Sequence, residues 1–124
     1  MTLVIVDDDD GARSALGRLL RCMGHAVREF DSAEAFEAEP VAADCLIVDV
    51  RLPGLSGPEL RDRLRGREHA APVVFITGDP DHKTREMVHA PTAIVAKPFD
   101  DETLMAAINA AISAAARPTE HHAG

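Results

Sequence analysis

Cys45-Leu46-Ile47-Val48-Asp49-Val50-Arg51-Leu52-Pro53-Gly54-Leu55-Ser56-Gly57 reads as a strand covered on both faces that ends on one carboxylate. A Pro/Gly loop and a helix start follow it. An apolar run has little reason to end on an aspartate unless that group is used, so Asp49 is the candidate reactive residue.

The same pattern recurs on either side. Upstream, Leu3-Val4-Ile5-Val6 (β1) stops at four adjacent acids, Asp7 to Asp10. The next segment, α1, sets Ala12, Ala15, Leu16, Leu19, Leu20 and Met23 at helical spacing, with Gly24 placed to end it. Residues 25–30 form a weaker strand, β2. Asp31-Ser32-Ala33-Glu34 then offers a cap and a glutamate three residues on, opening α2 to about Glu39, where Pro40 ends it. The central strand, β3, covers about residues 44–49.

Downstream, Ser56-Gly57-Pro58-Glu59 is a capping-box pattern for α3, which turns Leu60 and Leu64 to the core and closes at Gly66. Pro72-Val73-Val74-Phe75-Ile76 (β4) delivers Thr77-Gly78-Asp79 to a loop, and Pro80 can start α4 over residues 81–90. Pro91 stops that helix before β5, residues 92–96, which leads into Lys97-Pro98-Phe99. From Asp100 or Asp101, α5 sets Leu104, Ile108, Ala111, Ile112 and Ala115 on one face and fades before Pro118. Residues 1–116 make one domain and residues 117–124 a frayed tail.

Five strands alternating with five helices imply a parallel sheet in a three-layer α/β sandwich, because parallel strands need crossover helices. Asp7, Asp8, Asp49, Thr77 and Lys97 then fall just past the carboxyl ends of different strands, where open α/β sheets keep their ligand crevice.

Composition bounds the function. A chain of 124 residues, 46% hydrophobic and 27% charged, suits one globular domain, and with four Phe as its aromatics the core is expected from Val, Ile, Leu and Ala. The net charge of −8 without a Lys/Arg cluster argues against direct nucleic-acid binding. No signal peptide is visible and no apolar run approaches the roughly 20 residues of a membrane span. Cys22 and Cys45 show no CxxC pairing and read as small core residues of a reduced, cytoplasmic protein. Met23, Met87 and Met105 read as packing. His25, His69, His82 and His89 lack ligand spacing, and His121-His122 lies in the tail, so all six histidines read as solvated.

Three carboxylates, a hydroxyl and a lysine suit a hard cation and a phosphoryl group: Mg²⁺, with Mn²⁺ as a substitute. Asp49 could attack phosphorus as a carboxylate nucleophile while the cation and Lys97 neutralise the phosphoryl oxygens. Asp9 and Asp10 read instead as helix-start residues favoured by the α1 dipole. A phosphohydrolase of the haloacid-dehalogenase kind uses similar chemistry, but it needs a second aspartate two residues past the nucleophile, where Arg51 stands.

Ile5-Val6-Asp7-Asp8-Asp9, Val48-Asp49-Val50-Arg51-Leu52-Pro53-Gly54-Leu55-Ser56-Gly57, Ile76-Thr77-Gly78 and Ala96-Lys97-Pro98-Phe99, in this order, resemble the receiver domain of two-component response regulators over residues 2 to about 116. The likeness is greatest to receivers often joined to helix-turn-helix output domains. It implies a flavodoxin-like, doubly wound (βα)5 fold with strand order 2-1-3-4-5. It implies that Asp49 takes a phosphoryl group from the phosphohistidine of a histidine kinase or a histidine phosphotransfer protein. Asp8 would ligate Mg²⁺ directly, Asp7 through water, and the backbone carbonyl of Arg51 would complete the protein ligands. Thr77 and Lys97 would each take a phosphoryl oxygen, with Lys97–Pro98 cis. Such a domain catalyses its own phosphorylation and dephosphorylation and turns over no external substrate.

Switching, on the same resemblance, is a pull of Thr77 toward the phosphate that shifts the β4-α4 loop and the α4-β5-α5 face, a face through which two copies can also pair. Two departures bear on this. Ile94 stands where relatives usually carry the aromatic partner of the threonine, which speaks against an aromatic flip, and the stretch from Thr77 to Lys97 is about two residues short, which predicts a shortened or irregular α4. Arg51 and Asp79 are expected to pair across the mouth of the site and modulate the lifetime of the phosphoryl group. These 124 residues are read as a stand-alone receiver, whose effect passes through an unknown output partner or through phosphate flux, as in a sink or shuttle; a degenerate receiver acting as a binding module is the remaining alternative.

Overall fold

The continuous apolar runs become the strands of one parallel sheet. In the computed structural model, which describes residues 1–39, 41–65, 71–78, 93–97 and 99–116, β1 is Thr2–Val6, β2 Ala26–Phe30, β3 Cys45–Asp49, β4 Val73–Thr77 and β5 Ala93–Ala96. Their order is β2-β1-β3-β4-β5, and every neighbouring pair is parallel. This is the doubly wound arrangement expected from the sequence.

Alternation along the strands divides the core in two. Leu3, Ile5, Cys45, Ile47, Val74, Ile76 and Val95 pack with Leu16 and Leu20 of α1 (Asp10–Cys22) and with Leu104 and Ile108 of α5 (Asp101–Ala116). Val4, Val6, Leu46, Val48 and Phe75 pack on the other face with Phe36 of α2 (Ala33–Ala38) and with Leu60 and Leu64 of α3 (Gly57–Arg65). The central strand β3 is buried at every position, whereas β2 alternates exposed and half-buried residues because it is an edge. The Arg21 guanidinium donates to the Val27 carbonyl at 3.1 Å, occupying a backbone acceptor on that open edge.

Local signals set the helix ends. Asp9 caps α1 by accepting the Ala12 N–H at 3.0 Å. At the other end Gly24 adopts φ 93°, and the N–H groups of Gly24 and His25 bond the carbonyls of Arg21 and Leu20 at 3.0 and 3.1 Å, which is a Schellman closure. The capping box of α3 is complete: the Ser56 N–H bonds Glu59 Oε1 at 3.1 Å, and the Glu59 N–H bonds Ser56 Oγ at 3.3 Å.

Several expectations are corrected. Ser32, not Asp31, caps α2, accepting the Ala35 N–H at 3.0 Å. Glu34 is therefore the second helical residue rather than the third, and it does not close a box. The core is not purely aliphatic, since Phe30, Phe36 and Phe75 are buried and the first two pack edge to face at 5.4 Å. Ala15, Cys22 and Met23 are exposed rather than buried. Leu16 and Leu20 take the sheet-facing stripe of α1, Cys22 lies about 200° round the helix from Leu20, and Met23 is already in the closing turn; Cys45 is buried as expected. Pro40, Gly66, Asp79, Pro80, the predicted α4 with its shortening, Pro91, the Lys97–Pro98 bond, His69, His82, His89, Met87 and residues 117–124 lie outside the described residues.

Candidate functional site

Register carries the acids to one place. Val6 and Val48 are partners across β1 and β3, so Asp7 and Asp49 leave their strands at the same level. Both continue the alternation of Ile5 and Ile47 on the α1/α5 face, and Lys97 continues that of Val95. Lys97 Nζ consequently stands 3.1 Å from Asp7 Oδ2 and 3.1 Å from Asp49 Oδ2. Asp8 is exposed beside them, and one carboxylate oxygen from each of Asp7, Asp8 and Asp49 lies within 4.8 Å of the others.

Backbone donors hold these acids in place. Asp7 Oδ1 accepts the Asp9 N–H at 3.0 Å, and the Asp7 carbonyl accepts from Arg13 Nη1 at 2.8 Å. Asp49 Oδ1 accepts the Arg51 N–H at 2.9 Å. The Val50 N–H bonds the Ile76 carbonyl at 3.0 Å, and the Gly57 N–H bonds the Val50 carbonyl at 3.3 Å. Thr77 ends β4 one residue beyond Ile76, the partner of Asp49, and is 1% exposed; its carbonyl accepts the Lys97 N–H at 2.7 Å. Ile94 pairs with Phe75 and packs against the α2/α3 side of the core. Asp79, and with it the expected pair to Arg51, is outside the described residues.

The electrostatics follow from partial burial. Burial pushes the Asp49 carboxyl above its ordinary range, with the Arg51 N–H and the Lys97 ammonium opposing it. Burial alone would lower Lys97, but the hydrogen bonds and charges of Asp7 and Asp49 outweigh it and hold the ammonium above lysine's ordinary value. Two buried acids on one cation still leave net negative charge, and Asp8 adds to it. A set of carboxylate oxygens without imidazole or thiol fits a small hard cation such as Mg²⁺. A cavity of about 310 Å³ opens at the same place, walled by Leu16, Leu19, Ile76 and Phe99 and ending on Asp7 and Lys97.

Of the residues singled out in the sequence, Asp7, Asp8, Asp49 and Lys97 meet directly, and Thr77 stands at the adjoining strand end. Two residues of the surroundings escaped the sequence reading. Arg13 reaches the Asp7 carbonyl and pairs with Asp10 at 2.6 Å; the i,i+3 spacing signals the second contact but not the first. Glu34 bonds the Leu55 N–H at 2.9 Å, and no local pattern marks a contact 21 residues apart.

The chain is similar to known proteins in sequence and in fold. The family model described as the response regulator receiver domain matches residues 3–109. The chain is 36% identical over 116 residues to the transcriptional regulatory protein FixJ of Azorhizobium caulinodans, covering 90% of this chain and 55% of that protein. It is 36% identical over 123 residues to the response regulator protein TmoT of Ectopseudomonas mendocina, covering 96% and 56%. The crystal structure of FixJ-N superposes with a TM-score of 0.81 at 34% identity, covering 90% of this chain and 93% of that one. The chain thus spans about half the length of the curated relatives it matches.

Proposed function

The chain belongs to the response regulator receiver domain family, and we propose that Asp49 is its phosphoacceptor, charged from the phosphohistidine of a histidine kinase or a histidine phosphotransfer protein. One observation carries the reading: Asp49 ends the fully buried central strand with its carboxylate against Lys97 and beside Asp7 and Asp8. In the transfer an Asp49 oxygen bonds phosphorus as the phosphorus–nitrogen bond breaks, and the electron pair stays on the imidazole, which takes up a proton.

Asp8 and Asp49, Asp7 through water, and the Arg51 carbonyl would hold Mg²⁺, or Mn²⁺ in its place. The cation supplies charge neutralisation for the phosphoryl oxygens and relieves the mutual repulsion of the acids. Lys97, already poised over Asp49, exchanges a carboxylate partner for a phosphoryl oxygen, and the Thr77 hydroxyl takes another. The pull on Thr77 is passed to the segment after β4 and to the α4-β5-α5 face, with Ile94 moving as an aliphatic plug rather than an aromatic rotor, and Asp79 and Arg51 modulate phosphoryl lifetime.

The domain, residues 1–116, acts in the cytoplasm as a signalling module that turns over no external substrate. Longer relatives, of which the chain spans about half, are named transcriptional regulatory proteins, which supports an output partner that acts on transcription and reads the switched face, with pairing of two copies as one way of reading it. No helix among the described residues is long and apolar enough to cross a membrane.

The test is the intact mass after incubation with Mg²⁺ and a small acyl-phosphate donor. Wild type should gain one phosphoryl group, and the Asp49→Asn variant and an EDTA control should not. Labelling that persists in Asp49→Asn would move the acceptor elsewhere, and donor hydrolysis without an adduct would mark a phosphohydrolase.

A further inference from the structure

Glu34 has no part in the reading above, yet its carboxylate does not stay with its own helix. From the first turn of α2 it accepts the Leu55 N–H at 2.9 Å, in the loop that joins Asp49 to α3. The loop is shaped for that contact. Gly54 adopts φ 71°, a conformation that favours glycine, and the Glu34 carboxylate lies over its bare Cα, with Oε2 2.6 Å from where a Cβ would stand. The Leu55 N–H holds the Glu34 carboxyl below the usual carboxylate range. A neighbouring bond, Arg63 to Glu37 at 2.8 Å, ties α3 to α2 in the same register.

The ends of the loop have their own anchors: the Val50 N–H on Ile76, the Gly57 N–H on Val50 and the capping box of Ser56 and Glu59. Leu52 is buried and Leu55 half-buried against the α2/α3 side of the core. At the crown, Glu34 is a polar anchor among the described residues.

We propose that Glu34 is a positioning residue for the acceptor loop: by holding the Leu55 N–H it sets the path of residues 51–55, and so the place of the Arg51 main chain beside Asp49. The inference rests on the phosphoacceptor reading, because the affinity for Mg²⁺ and the rate of phosphorylation are what the loop position would govern. It also makes α2, which carries none of the reacting groups, part of the support of the site.

The experiment compares wild type with Glu34→Ala, Glu34→Gln and Glu34→Asp. Glutamine keeps an acceptor oxygen at the same reach, whereas aspartate is one methylene short. Amide hydrogen exchange at Leu55, Mg²⁺ affinity by titration and the rate of labelling by a small acyl phosphate are measured on each. Glu34→Ala and Glu34→Asp should lose protection at Leu55 and bind Mg²⁺ about 3- to 10-fold more weakly, as for the loss of one hydrogen bond. Glu34→Gln should recover most of both. A lowered melting temperature with unchanged Mg²⁺ affinity and labelling rate would reduce Glu34 to a structural contact and overturn the proposal. Should wild type itself neither bind Mg²⁺ nor become labelled, the reading of Asp49 falls instead, and the Leu55 exchange rates still decide whether Glu34 holds the loop.

Discussion

A Cβ on Gly57 would stand 2.5 Å from the carbonyl oxygen of Asp49, with Phe75 Cε1 and Val48 Cγ1 at 3.1 and 3.2 Å. The first turn of α3 is therefore pressed onto the end of β3, and only a residue without a side chain allows it. Gly57→Ala sets two effects against each other. Helix propensity favours alanine by less than the about 1 kcal/mol of a helix interior, because Gly57 is the first helical residue, while a contact at this distance forces α3 or the end of β3 to move, and overpacking costs about 1–3 kcal/mol. The clash is with backbone, which cannot rotate away, so we expect a net loss of about 2 kcal/mol by chemical denaturation and slower labelling of Asp49. Wild-type stability in this variant would show that α3 shifts freely.

Lys97 spans Asp7 and Asp49 at 3.1 Å each, so Lys97→Met leaves two buried acids without their cation. Breaking a fully buried pair costs about 3–5 kcal/mol; with the Lys97 side chain 26% exposed, a loss of about 1–3 kcal/mol at pH 7 is expected. The folded value of Lys97 lies above its ordinary 10.5. Its contribution is thus complete below that pH and disappears as pH rises through the folded value. Urea titrations between pH 9 and 12 should show that alkaline loss in wild type and not in the variant. Mg²⁺ should restore more stability to the variant than it adds to wild type.

Asp49→Asn removes a carboxylate that burial has pushed above its ordinary range. In the folded state this group keeps its proton more readily than in the unfolded chain, so its ionisation weakens the fold as pH rises from the ordinary carboxylate value through the folded one. Without divalent cations the variant should be more stable than wild type at pH 7, with the gain vanishing below the ordinary carboxylate value of 3.8. Thermal melts across pH would decide; a destabilised variant at pH 7 would mean that the bond to Lys97 outweighs the burial cost.

The two thiols should react differently. Burial pushes the Cys45 thiol up to about 12, while Cys22 is exposed. At pH 7.5 iodoacetamide should modify one cysteine of the native protein, mapped by peptide mass to Cys22, and both after unfolding. Modification of Cys45 without denaturant would mean that β3 opens.

Most of the architecture was legible in the chain because its signals act within single elements. Apolar runs of four or five residues announced the strands, and a charge or hydroxyl standing at the end of such a run, as at Asp7, Asp49, Thr77 and Lys97, is visible in one dimension. Helix ends at Asp9, Gly24 and Ser56 were legible for the same reason, since caps are made by neighbours within a few residues. The capping at Asp31 failed by one position, because Ser32 and Asp31 are both competent caps and the packing of Ala33 and Phe36 selects between them.

By itself, then, the sequence determined a parallel α/β sheet with its acids and lysine at the carboxyl edge, since strand and helix periodicities and caps depend on residues close in the chain. Tertiary packing alone brings Lys97 Nζ onto Asp7 and Asp49, Arg13 onto the Asp7 carbonyl, Glu34 onto Leu55 and Gly57 onto the Asp49 carbonyl. These contacts join elements whose register and packing are set by the whole core at once, and no local pattern in the chain encodes them.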